Sequence, residues 1–158
     1  MKKYIVPLIF MAVIALSATI GYAVVAGSIT ETKLVPTAFP KWDMHKITLT
    51  WVSDVNGNVN GIETTYPLDG EIYRVATIPS TTLPPTDAYD ITLLDSDSLD
   101  VLQGIGADEP NTVSHQFCPS LASDDSNNIS LVAVHGNLTL TVDNAGAAKS
   151  GKVIIYWK

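Results

Sequence analysis

Cysteine is nearly absent from this chain of 158 residues, which holds one, Cys118. An intrachain disulfide is thereby excluded, and a body of this size buries enough apolar surface to stand without one. With no Cys-x-x-Cys and no basic cluster beside it, Cys118 is expected as a small buried side chain in a strand. Cations are scarce too. Nine Lys and Arg stand against sixteen Asp and Glu, and from Gly27 onward the ratio is seven to sixteen, a net charge of −9. Phosphate binding requires concentrated Lys and Arg, so nucleic acid is excluded as a partner, and the acidity fits solubility outside the cytoplasm. Helical periodicity is equally thin, confined to a short turn over residues 99–104, and no tandem repeat has a fixed period. No Gly-x-Ser-x-Gly elbow and no phosphate-cradling Gly-Lys-Ser/Thr loop occurs. His45, His115 and His135 lie far apart, without the local spacing of a metal site.

There is one long apolar run, and it lies at the amino end. Lys2 and Lys3 precede an apolar stretch over residues 4–20, followed by small residues at Gly21, Ala23 and Ala26. A charged start, apolar middle and small-residue exit make an export signal. Cleavage after Ala23, with Gly21 at the minus-three position, or after Ala26, with Val24 there, would release a soluble domain. Left uncut, the 22 residues 5–26 span a hydrocarbon core of about 30 Å and tether the domain with its amino terminus inside. The chain thus divides into a signal peptide or membrane anchor, 1–26, and one exported domain, 27–158; any membrane association runs through the leader.

Period two governs the exported part. In residues 46–52, Ile47, Leu49 and Trp51 face one way and Lys46, Thr48 and Thr50 the other. The run DVNGNVNG over 54–61 reads as a hairpin into a strand at 62–66, and further strands are expected at 71–78 and 88–94. Residues 79–85, rich in proline, form a surface connection, and 120–128 an exposed loop. His135-Gly136-Asn137 reads as a second tight hairpin between strands at 129–134 and 138–142. The apolar run at 152–157 suggests a last strand covered on both sides. About eight short strands with regular turns predict an all-β domain, an antiparallel β-sandwich or jelly roll.

Asp95, Asp97 and Asp100, in DSDSLD, share one short turn and are the calcium candidates, since a hard cation takes oxygen ligands; the alternative is a solvated acidic turn capping a strand end. DVNGNVNG is not a calcium loop: Val59 and Thr65 occupy the positions that need glycine and a bidentate acid. Beyond calcium, no cofactor is indicated. Trp51, Tyr73 and Trp157 lie in strands and are assigned to packing, whereas Trp42, ahead of the first strong strand, is the aromatic expected at the surface, where it would stack on a sugar ring.

The stretches PTDAYDITLLDSDSLDVLQGIGADEPNT, 85–112, and VAVHGNLTLTVDNAGAAKSGKVIIYW, 132–157, resemble a family of small uncharacterised proteins encoded among the structural genes of tailed phages and prophages. The matching features are the strand from Tyr89 to Leu93, the Asp-rich turn from Asp95 to Leu102, the step from Gly104 to Gly106 and the closing turn from Asn144 to Gly151. With the turn at 53–61, the likeness spans about residues 46–157. It implies a virion-associated or otherwise structural β domain, working by self-association or contact with virion proteins, with no catalytic residues to carry over. Combined with the leader, it implies an exported, membrane-associated or virion-associated protein that is not an enzyme. The alternative is an exported bacterial module binding a glycan or surface partner through Trp42 and its loops. A hydrolase using Asp95, Asp97 or Asp100 is the least favoured class.

Overall fold

The structure, a computed structural model, describes residues 26–34, 44–122 and 129–158. Residues 1–25 of the leader, with Ala23, the aromatic Trp42 and most of the loop at 120–128 lie outside the described residues; Ala26 lies within them and is exposed. Among the described residues ten strands run in order: β1 (Ser28–Leu34), β2 (His45–Val52), β3 (Val59–Glu63), β4 (Gly70–Pro79), β5 (Asp90–Leu94), β6 (His115–Phe117), β7 (Ser120–Ala122), β8 (Ile129–Val134), β9 (Thr139–Asp143) and β10 (Ser150–Trp157). Every pairing is antiparallel, and no helix occurs among the described residues.

The strands form two sheets. The larger has the order β1-β2-β10-β4-β8-β7, with β6 also paired to β4; the smaller is β3-β9-β5. One apolar cluster joins them: Ile47, Leu49, Trp51, Ile72, Val75, Val153 and Ile155 from the larger sheet meet Val59, Ile91, Leu93, Leu140 and Val142 from the smaller. The alternation expected for residues 46–52 is realised, because Ile47, Leu49 and Trp51 are buried while Lys46, Thr48 and Thr50 are only half-buried. Gly151 lies directly across from Trp51, and a Cβ there would stand 2.6 Å from the indole ring, so the close approach requires glycine.

Two expected hairpins are not hairpins. Residues 54–58 of DVNGNVNG lead from β2 in the larger sheet to β3, which takes in its last three residues, starts ahead of the strand expected at 62–66 and pairs with β9 in the smaller sheet; His135-Gly136-Asn137 leads from β8 in the larger sheet to β9. Turn residues bring about a chain reversal but do not choose the partner; here both turns carry the chain across the core. The turn at 99–104 is not helical: backbone N–H groups of Leu102 and Gly104 bond the Asp100 carboxylate, which closes a loop back onto β5 instead. The last strand is covered on one side, with Val153, Ile155 and Trp157 buried, Ile154 and Tyr156 half-buried and Lys152 exposed. Tyr73, assigned to packing, is 38% exposed, because the pairing of β4 with β10 shifts between Ile72 and Arg74 and leaves Tyr73 as the extra residue of a bulge. Cys118, expected inside a strand, is exposed just beyond β6.

The strand β1 has no counterpart in the sequence reading. Its register with β2 sets Ile29, Glu31 and Lys33 on the core side opposite Trp51, Leu49 and Ile47. The Glu31 carboxylate accepts the Thr65 N–H at 2.7 Å, and the Lys33 ammonium lies over the Tyr66 and Trp157 rings. Charges on the inner face of an edge strand close the rim of the core and hinder pairing with a foreign strand.

Candidate functional site

Most of the carboxylates that chemistry would need are engaged in shaping turns. Asp95 Oδ1 accepts the N–H groups of Asp97 and Leu99 at 3.0 and 2.9 Å, while Asp100 accepts those of Leu93 and Leu102 through Oδ1 and of Gly104 through Oδ2. The calcium candidates therefore sit on one turn, as their spacing suggests, but Asp95 and Asp100 each direct oxygens at their own backbone. Among the described residues no group of three His, Cys, Asp or Glu side chains is placed to hold a metal ion. Asp54 behaves alike in the β2–β3 connection: its carboxylate takes N–H groups from Asn58 at 2.8 Å and Asn56 at 2.9 Å, and the Asn60 amide at 3.3 Å. Chiefly the Asn58 N–H, working against the burial of the group, holds the Asp54 carboxyl below its ordinary value. The histidines are dispersed: His45 stacks on Trp157, His115 approaches Glu109, and His135 bonds Asp69 at 2.6 Å at the surface.

Among the described residues Glu109 is the most deeply buried carboxylate, 1% exposed against 6% for Asp54. Its Oε2 accepts the Thr77 hydroxyl at 2.6 Å and lies 3.4 Å from His115 Nδ1, itself on a residue 52% exposed. Among the described residues its Oε1 has no partner, and neither have Tyr89 Oη and Trp51 Nε1. The Trp51 and Tyr89 rings meet at 5.7 Å, and Tyr89 and Glu109 bridge through their backbones. Burial first, then the Glu109 carboxylate, pushes the Tyr89 phenol above its usual range, so it stays protonated. Nothing in the sequence marks Glu109 as buried: its backbone bridge to Tyr89 and its side-chain contacts with Thr77 on β4 and His115 on β6 draw it in.

The exposed face of the larger sheet holds a different set of side chains. Register lays them out in rows: Leu34, Lys46, Tyr156 and Arg74 across β1, β2, β10 and β4; then Thr32, Thr48, Ile154 and Ala76; then Thr30, Thr50, Lys152 and Ile78. The Arg74 guanidinium carbon lies 4.0 Å from the Tyr156 ring centre and the Lys46 ammonium 5.7 Å from it. Two shallow grooves run along this face. One of about 330 Å³ is lined by Arg74, Ala76, Ile78, His115, Gln116, Ile154 and Tyr156 among others, and the other, about 380 Å³, by Thr50, Ile78, Ser80, Ser150 and Lys152 among others. Neither is lined by Glu109, Asp95, Asp97 or Asp100. Sequence alternation in 152–157 contained this face, since Lys152, Ile154 and Tyr156 share a parity, but its rows required the partners of β10.

No protein-family model matches the chain, and no curated protein or solved structure matches it.

Proposed function

We propose that residues 27–158 form an exported antiparallel β-sandwich that acts by surface contact, as a structural or virion-associated part in the manner of the phage and prophage proteins that its turns resemble, and that it catalyses no reaction. One observation carries this: Asp54, Asp90, Asp95 and Asp100 accept hydrogen bonds from the turns they organise, while the sheet faces present open rows of side chains. A carboxylate acting as general acid or base must reach a substrate proton. Glu109, whose carboxylate is bound to the Thr77 hydroxyl inside the core, lines neither groove of the exposed sheet face. The shared core beneath two antiparallel sheets supports the sandwich architecture. No cofactor enters this proposal.

Density-gradient fractionation of the producing culture, probed with an antibody to the domain, tests it. The protein is expected in the particle fractions, with an intact mass starting at Val24 or Gly27 where the leader is cut and at Met1 where it is kept as an anchor. Recovery only as a free species that turns over a substrate would overturn the proposal.

A further inference from the structure

The two exposed sheet faces carry opposite charge. On the larger sheet, the rows across β2, β10 and β4 present Lys46, Arg74 and Lys152 with no carboxylate among them; Glu71 lies past the bulge. On the smaller, register sets Glu63 with Thr139 and Leu94, Thr141 with Thr92, and Asp143 directly opposite Asp90, and its three strands hold no Lys or Arg. Lys46, Arg74 and Lys152 make no ion pair with any described carboxylate, and Glu63, Asp90 and Asp143 none with any described cation. Two carboxylates directly opposite on neighbouring strands destabilise a sheet. Asp90 is steadied by the Asp108 N–H and the Asn144 amide, neither of them a charge.

We propose that the cationic face of the larger sheet docks on the anionic face of the smaller sheet of a second copy of this chain. The proposal rests on the contact role above and names its partner. Both faces stand on the outer sides of one shared core, so the contact is heterologous: each copy uses one face and leaves the other open, which builds a linear stack rather than a closed pair. The Arg74 guanidinium, its carbon 4.0 Å from the Tyr156 ring centre, has no carboxylate partner among the described residues and is free to take one from the neighbour, a bidentate pairing that favours arginine. Ile78 and Ile154, half-buried between the cations, supply the apolar centre.

Sedimentation velocity of the protein as recovered from culture, across a concentration series at about 20 mM and about 500 mM salt, is the experiment, because exposed charges are screened at the higher strength. Species larger than one chain are expected at low salt, growing with concentration and dispersing at high salt. A cationic-face variant, Arg74→Glu with Lys152→Glu, and an anionic-face variant, Glu63→Lys with Asp143→Lys, should each associate at least about a hundredfold more weakly, since like charges then meet. Mixed in equal amounts, the two should associate again, because each restores the charge the other lacks. Far-UV circular dichroism confirms that both are folded. A wild-type protein monomeric at both salts, reversed variants that stack like the wild type, or an inert mixture overturns the proposal. If the monomer joins particles, or assembles only on an added anionic polysaccharide, self-stacking fails while the contact role stands. If it joins nothing, both fail.

Discussion

Glu109 concentrates the residue-scale energetics of the core. Truncation to alanine leaves the Thr77 hydroxyl buried without its acceptor and opens a void, so Glu109→Ala should lose about 2–4 kcal/mol in urea unfolding. Tyr89→Phe acts in the opposite sense: its Oη has no partner among the described residues, and removing a buried, unpaired hydroxyl beside a carboxylate should leave stability unchanged or raise it by about 1 kcal/mol. The same substitution carries a pH signature. A phenol whose folded value is raised contributes stability fully present below its ordinary value of about 10 and lost as pH climbs above it. Thermal unfolding between about pH 9 and 11 should therefore decline more steeply for the wild type than for Tyr89→Phe. At Gly151 geometry decides: a methyl group would press on the Trp51 ring at 2.6 Å, so Gly151→Ala should cost about 1–3 kcal/mol, and a variant of wild-type stability would show that the indole can shift aside.

The turns decide matters at the scale of elements. The Asp54 carboxylate gathers the β2–β3 connection, and that connection in turn abuts the segment after β9, where the Ala145 N–H bonds the Gly57 carbonyl and the Ser53 hydroxyl bonds the Gly146 carbonyl. Because its folded value is depressed, Asp54 adds stability above its ordinary value of about 4 that disappears as pH falls through the lower folded value. Melting curves from about pH 5 down to 2 should fall more gently for Asp54→Asn than for the wild type; parallel curves would remove Asp54 from the acid response. Strand existence was legible wherever one face is apolar, as in β2, β4, β5 and β9, because burial imposes period two. The edge strand β1 escaped because Glu31 and Lys33 occupy its core side, and Tyr73 was misplaced because a bulge resets parity midway along β4. Pairing was not legible: Asn-Gly and His-Gly-Asn steps mark reversals equally well within a sheet and between sheets. The acidic turn over Asp95, Asp97 and Asp100 was visible, but whether its oxygens face an ion or their own backbone depends on the conformation of the loop, which composition does not encode.

Topology governs the molecule as a whole. β10, the final strand, lies between β2 and β4 at the middle of the larger sheet, paired along its length to partners some 70 to 110 positions earlier in the chain. Its Val153, Ile155 and Trp157 fill the core beneath both neighbours, so without it β2 and β4 lose a shared ladder and the smaller sheet loses part of the surface it packs on. Central strands joined by such distant segments form late, because loop closure opposes them until many contacts can be made together. Removal of residues 150–158 should therefore abolish the fold outright rather than trim it, giving a chain with the circular dichroism and protease sensitivity of an unfolded polypeptide. Supplying Ser150–Trp157 as a separate peptide should restore strand signal only at high concentration, since the tether no longer raises the effective concentration of the missing strand. A truncated protein that kept a cooperative unfolding transition would mean that the smaller sheet, with β1 and β2, holds a core of its own, and the single shared core would have to be given up.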